Sequence, residues 1–390
     1  MIIDTTQGVT LAQGFLASGV SAGLKSSGKK DLALVVSQGP GNVQAAVFTT
    51  NRFPAAPVEW SMYATGRGGL RAVVLNSGGA NACTGEQGAY DAQDMADKVA
   101  TLIGCQHDEV AVCSTGLIGV HLPMGKVLSG IESAYDSLSP EGGSDAAHAI
   151  MTTDTVAKQA CYTSDDGWVL GGMAKGAGML APGLATMLVV LTTDAKATSQ
   201  LANSALRQAT RFSFDRADSD GCMSTNDTVI LMANGASGVI PDPDEFAQAV
   251  LEVCISLAKQ LIADAEGAEH AITVTVREAY SEKDALEVAR AISRSNLFKC
   301  AIAGNDPNWG RVLASVGTTQ ARFHPENVDV YFNGVGVFLD GAPGVPRDQV
   351  NLTDFDVHVE VVLHAGDQEA TIWTNDLTHG YVSENADYPT

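Results

Sequence analysis

The stretch MAKGAGMLAPGLATMLVVLTTDA, residues 173–195, joins two kinds of chain. Its first half is glycine-rich and reads as a loop. Its second half, from Met187 to Thr193, is continuously apolar and reads as a buried strand. The pair Ala185-Thr186 lies at the seam. A threonine hydroxyl is a poor nucleophile without a base. A cut before Thr186 would give that residue a free α-amine, whose ordinary pKa of about 7.7–8.0 lets it act as a base near neutrality. The local alternative is a turn followed by a plain core strand.

Five other stretches hold residue types that could carry chemistry. In CSTGLIG (113–119) a strand ends at Thr115-Gly116. A threonine hydroxyl and a glycine N–H turned outward there could hold a developing oxyanion; an ordinary strand-ending turn fits equally well. IMTTDT (150–155) sets Thr152 and Thr153 beside an aspartate, which reads locally as a helix start or an Asx turn. DAEGAEH (264–270) puts Glu266 at the end of a strong helix, where the dipole disfavours a carboxylate. Its position there needs another reason, of which solvent exposure is the simplest. GNDPNWGR (304–311) and NSGGANACTG (76–85) are dense loops. The first lacks the Walker spacing and the ligand series of an EF-hand, so both read as structured turns.

The elements that must position these residues are partly visible. Strand-like runs occur at 31–38, 45–50, 71–77 and 109–115. Met95, Val99 and Leu102 recur at helical spacing ahead of a stop at Gly104. A longer helix carries the stripe Phe246, Val250, Val253, Leu257 and Leu261, with Asp242 or Asp244 as its cap and Gly267 at its end. A third helix covers 282–293. The last quarter reads as β, with two alternating runs flanking a turn near Gly366-Asp367. Residues 139–148 read as a surface loop. Strands and helices mix without strict β-α-β alternation, which favours a layered α+β fold.

Composition narrows the function classes. The chain has 390 residues and a net charge of −22, which disfavours nucleic acid as a partner. Its seven cysteines are scattered and form no C-x-x-C, so neither a disulfide framework nor a zinc site is expected, and most should be small buried hydrophobes. The opening MIIDTTQGVT does not read as a secretory signal and no apolar run has membrane-spanning length. The expectation is a cytoplasmic protein.

Taken in order, NSGGANACTG, STGLIG, IMTTDT, MAKGAGMLAPGLATML, DAEGA, GNDPNWGRV and the terminal YVSENADYPT resemble the glutamate N-acetyltransferase/ornithine acetyltransferase family of arginine biosynthesis. The resemblance covers nearly the whole chain. It implies a precursor that cuts itself between Ala185 and Thr186, giving chains 1–185 and 186–390. It implies Thr186 as the nucleophile that carries the acetyl group, with Thr115 and Gly116 as oxyanion donors. Thr152 (in preference to Thr153), Lys175, Thr186, Glu266, Asn385 and Thr390 match substrate-contacting positions. The implied fold is a layered α/β arrangement related to self-cleaving N-terminal-nucleophile enzymes, with a smaller C-terminal α/β lobe. The implied assembly is a heterotetramer of two cleaved pairs. The implied reaction moves acetyl from N2-acetylornithine to glutamate by a ping-pong route that needs no cofactor or metal, with acetyl-CoA as an alternative donor. The competing readings are a related self-cleaving amidohydrolase or aminopeptidase and an uncleaved binding protein. One departure stands out: many relatives have Thr-Lys where this chain has Glu269-His270.

Active protein should therefore run as two polypeptides on a denaturing gel. Edman sequencing of the second should read Thr-Met-Leu-Val. Full activity in an uncut 390-residue chain would contradict this.

Overall fold

The structure, a computed structural model, describes residues 7–181 and 187–387. The chain forms two compact units. Among the described residues, one holds the chain up to Asp215 together with Cys222–Leu261; the other holds Arg216–Gly221 and residues 262–387.

In the first unit, β1 (Phe15–Val20), β2 (Leu32–Ser37) and β3 (Val43–Phe48) lead into α1 (Ala56–Arg67). Next come β4 (Ala72–Asn76), α2 (Gly85–Ile103), β5 (Val110–Ser114), α3 (Met124–Asp136) and α4 (Gly143–Ala149). The unit continues through β6 (Lys158–Thr163), β7 (Val169–Lys175), β8 (Leu188–Thr193), α5 (Ser199–Phe212), β9 (Thr228–Ala233) and α6 (Pro243–Ala263). The strands form one sheet in the order β1-β2-β4-β5 and another in the order β3-β9-β8-β7-β6.

Period-two alternation explains the layering. Leu32, Leu34, Val36, Ala72, Val74, Val110 and Val112 point to an outer core with α2 and α3. Their neighbours Ala33, Val35, Val73, Leu75, Ala111 and Cys113 point inward, against Met173, Leu188, Val190, Ile230 and Met232 of the second sheet. Both faces are dry, so these strands read as unbroken apolar runs. On the far side, Val253 and Leu257 of α6 lie close against Gly172, and Trp168 meets Phe246 with ring centroids 5.6 Å apart. The unit is a four-layer α/β/β/α sandwich. Helix α6 is long and apolar enough to cross a membrane by length and composition, but its stripe is buried in this core.

One detail of register positions the candidate site. Lys175 pairs with Leu188, and Leu188 pairs with Thr228. Strand β7 runs antiparallel to β8, and β9 runs parallel to it. The end of β7 and the starts of β8 and β9 therefore share one end of the sheet.

The second unit contains β10 (Ala271–Ala279), α7 (Glu282–Ser293), α8 (Asn296–Ala303) and α9 (Trp309–Val316). It adds β11 (Asp329–Phe332), β12 (Val335–Leu339), β13 (Ala342–Pro343), β14 (Asp356–Val362), β15 (Gln368–Asn375) and α10 (His379–Asp387). Its sheet has the order β13-β12-β11-β14-β10-β15. Ile272, Val274, Val276, Val357, Val359 and Val361 pack with Val288, Ile292, Phe298 and Val312 of the helices. The other face carries polar residues such as Arg277, which reaches Glu360 at 3.5 Å and Glu369 at 3.7 Å. This is the smaller C-terminal lobe.

Several expectations need correction. The two runs around Gly366-Asp367 do not form a hairpin: β10 lies between β14 and β15 and pairs with both. Residues 139–148 are not a surface loop, because α4 occupies most of that stretch and buries Gly143, Ala146, Ala147 and Ala149. Helix α6 ends at Ala263, short of Gly267, and Asp242 is its cap, accepting from the Glu245 N–H at 3.0 Å. Only Cys113, Cys161 and Cys254 are buried, not most of the seven. By contrast, the structured turn expected in GNDPNWGR is present: the Asn308 side chain accepts from the Arg311 N–H, and Trp309 stacks on Phe338 at 4.9 Å.

Helix α4 approaches β1 so closely that a Cβ on Gly19 would fall 1.9 Å from the Asp145 carbonyl oxygen. Gly19→Ala should cost at least roughly 1–3 kcal/mol, the usual penalty of overpacking. Gly125→Ala meets nothing within 4 Å and should be neutral or stabilising. Urea unfolding midpoints would check both; equal midpoints for the two variants would contradict the packing described.

Candidate functional site

Strand β5 ends at Ser114, and the chain turns sharply through Thr115 and Gly116. Gly116 has φ +130°, and a Cβ there would lie 2.7 Å from the Gly79 nitrogen. Only glycine fits both demands. The segment around Gly79 is fixed from several sides. Thr115 N–H donates to the Asn76 carbonyl at 2.9 Å, and Gly79 N–H donates to the Thr115 carbonyl at 3.1 Å. Asn76 Nδ2 donates to the Gly79 carbonyl at 2.9 Å, and Ser114 Oγ donates to Asn76 Oδ1 at 2.5 Å. Asn226 Nδ2, just ahead of β9, donates to the carbonyls of Ala80 and Ser114 at 2.7 and 2.8 Å. The Gly116 N–H itself donates to no acceptor among the described residues.

Lys175 ends β7, fully buried, and its ammonium donates to Thr115 Oγ1 at 3.2 Å. The hydroxyl accepts from a cation, which leaves its own hydrogen to donate elsewhere. Asp154 answers the buried positive charge. Its Oδ1 accepts from Lys158 Nζ at 2.6 Å and from the Gly176 N–H at 2.7 Å, and its Oδ2 accepts from the Thr152 N–H at 2.9 Å. Burial alone would raise this carboxyl. The charges of Lys175 and Lys158, with the two hydrogen bonds to Oδ1, overcome that and hold it well below the usual carboxylate range. IMTTDT is thus a side-chain turn rather than a helix start, and Asp154 fixes Thr152 through its backbone.

Lys25 joins the same neighbourhood. Its ammonium donates to the carbonyls of Lys30 at 2.9 Å and Met151 at 2.7 Å. Burial brings its pKa down to about 8; Asp31 opposes that shift and the charge of Lys175 adds to it. At the start of β8, Met187 is held by residues 227 and 228. Its N–H donates to Asp227 Oδ1 at 3.0 Å, and its carbonyl accepts from the Thr228 N–H at 3.1 Å. The first unit therefore brings together Thr115, Gly116, Thr152 and Lys175.

In the second unit, Asn385 Nδ2 donates to Glu266 Oε2 at 2.8 Å and to the Tyr381 carbonyl at 3.0 Å. Helix α10 positions Asn385, and Thr378 Oγ1 ties the start of that helix to the Gly267 carbonyl at 2.5 Å. The Glu269-His270 departure leaves this pair intact. His270 is buried, with Nδ1 2.8 Å from Asp376 Oδ2 and Nε2 3.0 Å from the Leu352 carbonyl, while Glu269 faces solvent. Its role is packing of the second unit.

Ala185, Thr186 and Thr390 lie outside the described residues. Sequence reasoning missed Lys25, Lys158 and Asp227 and took Asp154 for an ordinary turn residue. The one signal available for Asp154 and Lys158 was their i, i+4 spacing. Nothing local marks Lys25 or Asp227 as part of this cluster, because Met151 and Lys175 lie far from Lys25 and Met187 lies far from Asp227 in sequence.

Residues 16–390 match the model of the ArgJ family. The arginine biosynthesis bifunctional protein ArgJ of Streptomyces coelicolor is 57% identical over 97% of this chain and 99% of its own length. The protein of that name from Thermobifida fusca is 56% identical over 98% of this chain and 100% of its own. Among solved structures, the ornithine acetyltransferase of Mycobacterium tuberculosis, complexed with ornithine, is 49% identical, covering 48% of this chain and 99% of that one, with a TM-score of 0.46. With a family model matched over nearly its full length and relatives of such identity, this chain belongs to the ArgJ family.

Proposed function

We propose that the protein transfers acetyl from N2-acetylornithine to glutamate through an acetyl ester on Thr186. The observation that carries this reading is the Thr115 hydroxyl at the turn before Gly116, held by the buried Lys175 ammonium at 3.2 Å. A hydroxyl so arranged is a donor whose hydrogen goes to no acceptor among the described residues. Beside it stands a glycine N–H that no described residue occupies. Together they suit an oxyanion. The names of the relatives, arginine biosynthesis bifunctional proteins, support the same pathway.

The steps follow from the groups. The precursor is cut between Ala185 and Thr186. The new amine of Thr186 takes the proton of its own hydroxyl as the oxygen attacks the acetyl carbonyl. The carbonyl oxygen becomes negative, and Thr115 O–H and Gly116 N–H stabilise it. The intermediate collapses, the bond to the ornithine nitrogen breaks, and that nitrogen leaves with the proton. Glutamate's amine then attacks the ester by the same route reversed, which restores Thr186. Lys175 keeps Thr115 oriented and adds positive potential. Thr152, Glu266, Asn385 and Thr390 contact the substrate in this reading; Glu266 suits an ammonium.

The second function in the relatives' names is read here as acetylation of glutamate from acetyl-CoA, entering at the same Thr186. The reading also includes a cytoplasmic assembly of two 1–185 and two 186–390 chains, following the family resemblance.

With N-acetylornithine and no acceptor, intact mass should show one acetyl added to the second chain, on its first residue. Glutamate should remove it. Thr115→Ala should lower kcat on the order of 10²–10³-fold, the usual effect of losing one oxyanion donor. An acetyl group found on another residue, or a Thr115→Ala enzyme of normal kcat, would overturn the mechanism.

A further inference from the structure

We propose that Asp227 is the positioning residue that keeps the nucleophile in place after the chain is cut, by holding the N–H of the residue that follows it. This rests on the reading of Thr186 as nucleophile.

A cut before Thr186 turns the middle of a chain into a chain end. New ends fray unless something ties them down. Yet acyl transfer needs its reacting groups held within a few tenths of an ångström, and a misplacement of about 1 Å can cost on the order of 10²-fold. The anchor must therefore lie next to Thr186 and must not depend on the peptide bond that breaks. Met187 supplies it. The Met187 N–H is bonded covalently to Thr186 and donates to Asp227 Oδ1 at 3.0 Å, while the Met187 carbonyl is taken by the Thr228 N–H at 3.1 Å. Only one residue then lies beyond the last fixed peptide unit.

Asp227 is itself immobilised. It is fully buried, and its own carbonyl accepts from the N–H of Thr49, just past the edge strand β3, at 3.0 Å. The pairing of Leu188 with Thr228 fixes its height beside Met187. A purely structural carboxylate in such a place would normally use both oxygens. Here Oδ2 is buried with no hydrogen-bond partner among the described residues. Leaving a charged oxygen so is expensive, which favours the uncharged acid. Burial accordingly raises the pKa of the group well above the usual carboxylate value, only partly offset by the Met187 N–H, the charge of Lys175 and Ser224. An uncharged Asp227 still offers its carbonyl oxygen to Met187.

The test compares Asp227→Ala and Asp227→Asn in the full chain. Asn keeps the shape and the acceptor oxygen without a charge; Ala removes the acceptor. Asp227→Ala should lower kcat on the order of 10²-fold with the KM for N-acetylornithine little changed. Asp227→Asn should restore most of kcat. Normal kcat in Asp227→Ala would overturn the proposal, and so would an Asp227→Asn enzyme as impaired as Asp227→Ala with the unfolding midpoint of the parent. Should Asp227→Ala fail to accumulate as folded protein, Asp227→Asn decides alone: near-normal kcat supports the proposal, and loss of kcat at unchanged stability sinks it. Hydrogen exchange gives a reading independent of variants. The Met187 amide of the cut enzyme should exchange slowly, and fast exchange there would overturn the anchor. Sequencing the second chain of the unsubstituted protein separates the two layers of inference. A start other than Thr186 removes the nucleophile reading. A start at Thr186 with normal turnover in Asp227→Ala removes only the anchor.

Discussion

The first unit is organised around one demand: the ammonium of Lys175 is buried and must be answered by polar groups. A charge in a low-dielectric interior is tolerated only when it is paired and hydrogen-bonded. The chain meets that demand with Thr115 at the end of one sheet and with Asp154 near the end of the other. Asp154 is shared with Lys158 and with the N–H groups of Thr152 and Gly176. Removing one member of such a buried ion pair typically costs roughly 3–5 kcal/mol, so the arrangement is all-or-none. The loops that could carry chemistry are thereby locked to strand ends rather than left to their own conformations.

Strand direction makes this possible. Because β7 runs antiparallel to β8 while β9 runs parallel to it, one strand end and two strand starts meet at the same end of the sheet. Starts and ends of strands carry backbone groups that the ladder does not use. There the fold spends them on Asp227, Asp154 and the turn at Gly116. The apolar layers behind, from Leu75 and Cys113 to Leu188 and Ile230, contribute rigidity without polar competition.

Much of this was legible in the sequence, and the remainder was hidden for definable reasons. Four early strands and the stripe of α6 were visible because burial on one or two faces imposes a period. Thr115-Gly116 could be found as a strand-ending turn with donors. Asp154 could not be told from any turn aspartate, since its partners Lys175 and Gly176 lie more than twenty residues on. Lys25 and Asp227 carry no local pattern. The run from Asp356 and the run to Asn375 were recognised as strands, but alternation says which face a residue takes, not which strand lies beside it. Hence β10, almost eighty residues upstream of the first of them, went unplaced between the two. The glycines and alanines of α4 looked like a loop because small residues that allow a close approach to β1 also populate loops.

The account's central claim is that this polar cluster serves transfer and not hydrolysis, and a product balance tests it most directly. Cut enzyme would be given N-acetylornithine with and without glutamate, in the absence of acetyl-CoA, and ornithine, N-acetylglutamate and free acetate would be quantified. The account predicts ornithine and N-acetylglutamate in equal amounts, with no sustained turnover when glutamate is left out. Acetate released at the same rate with and without glutamate would contradict it.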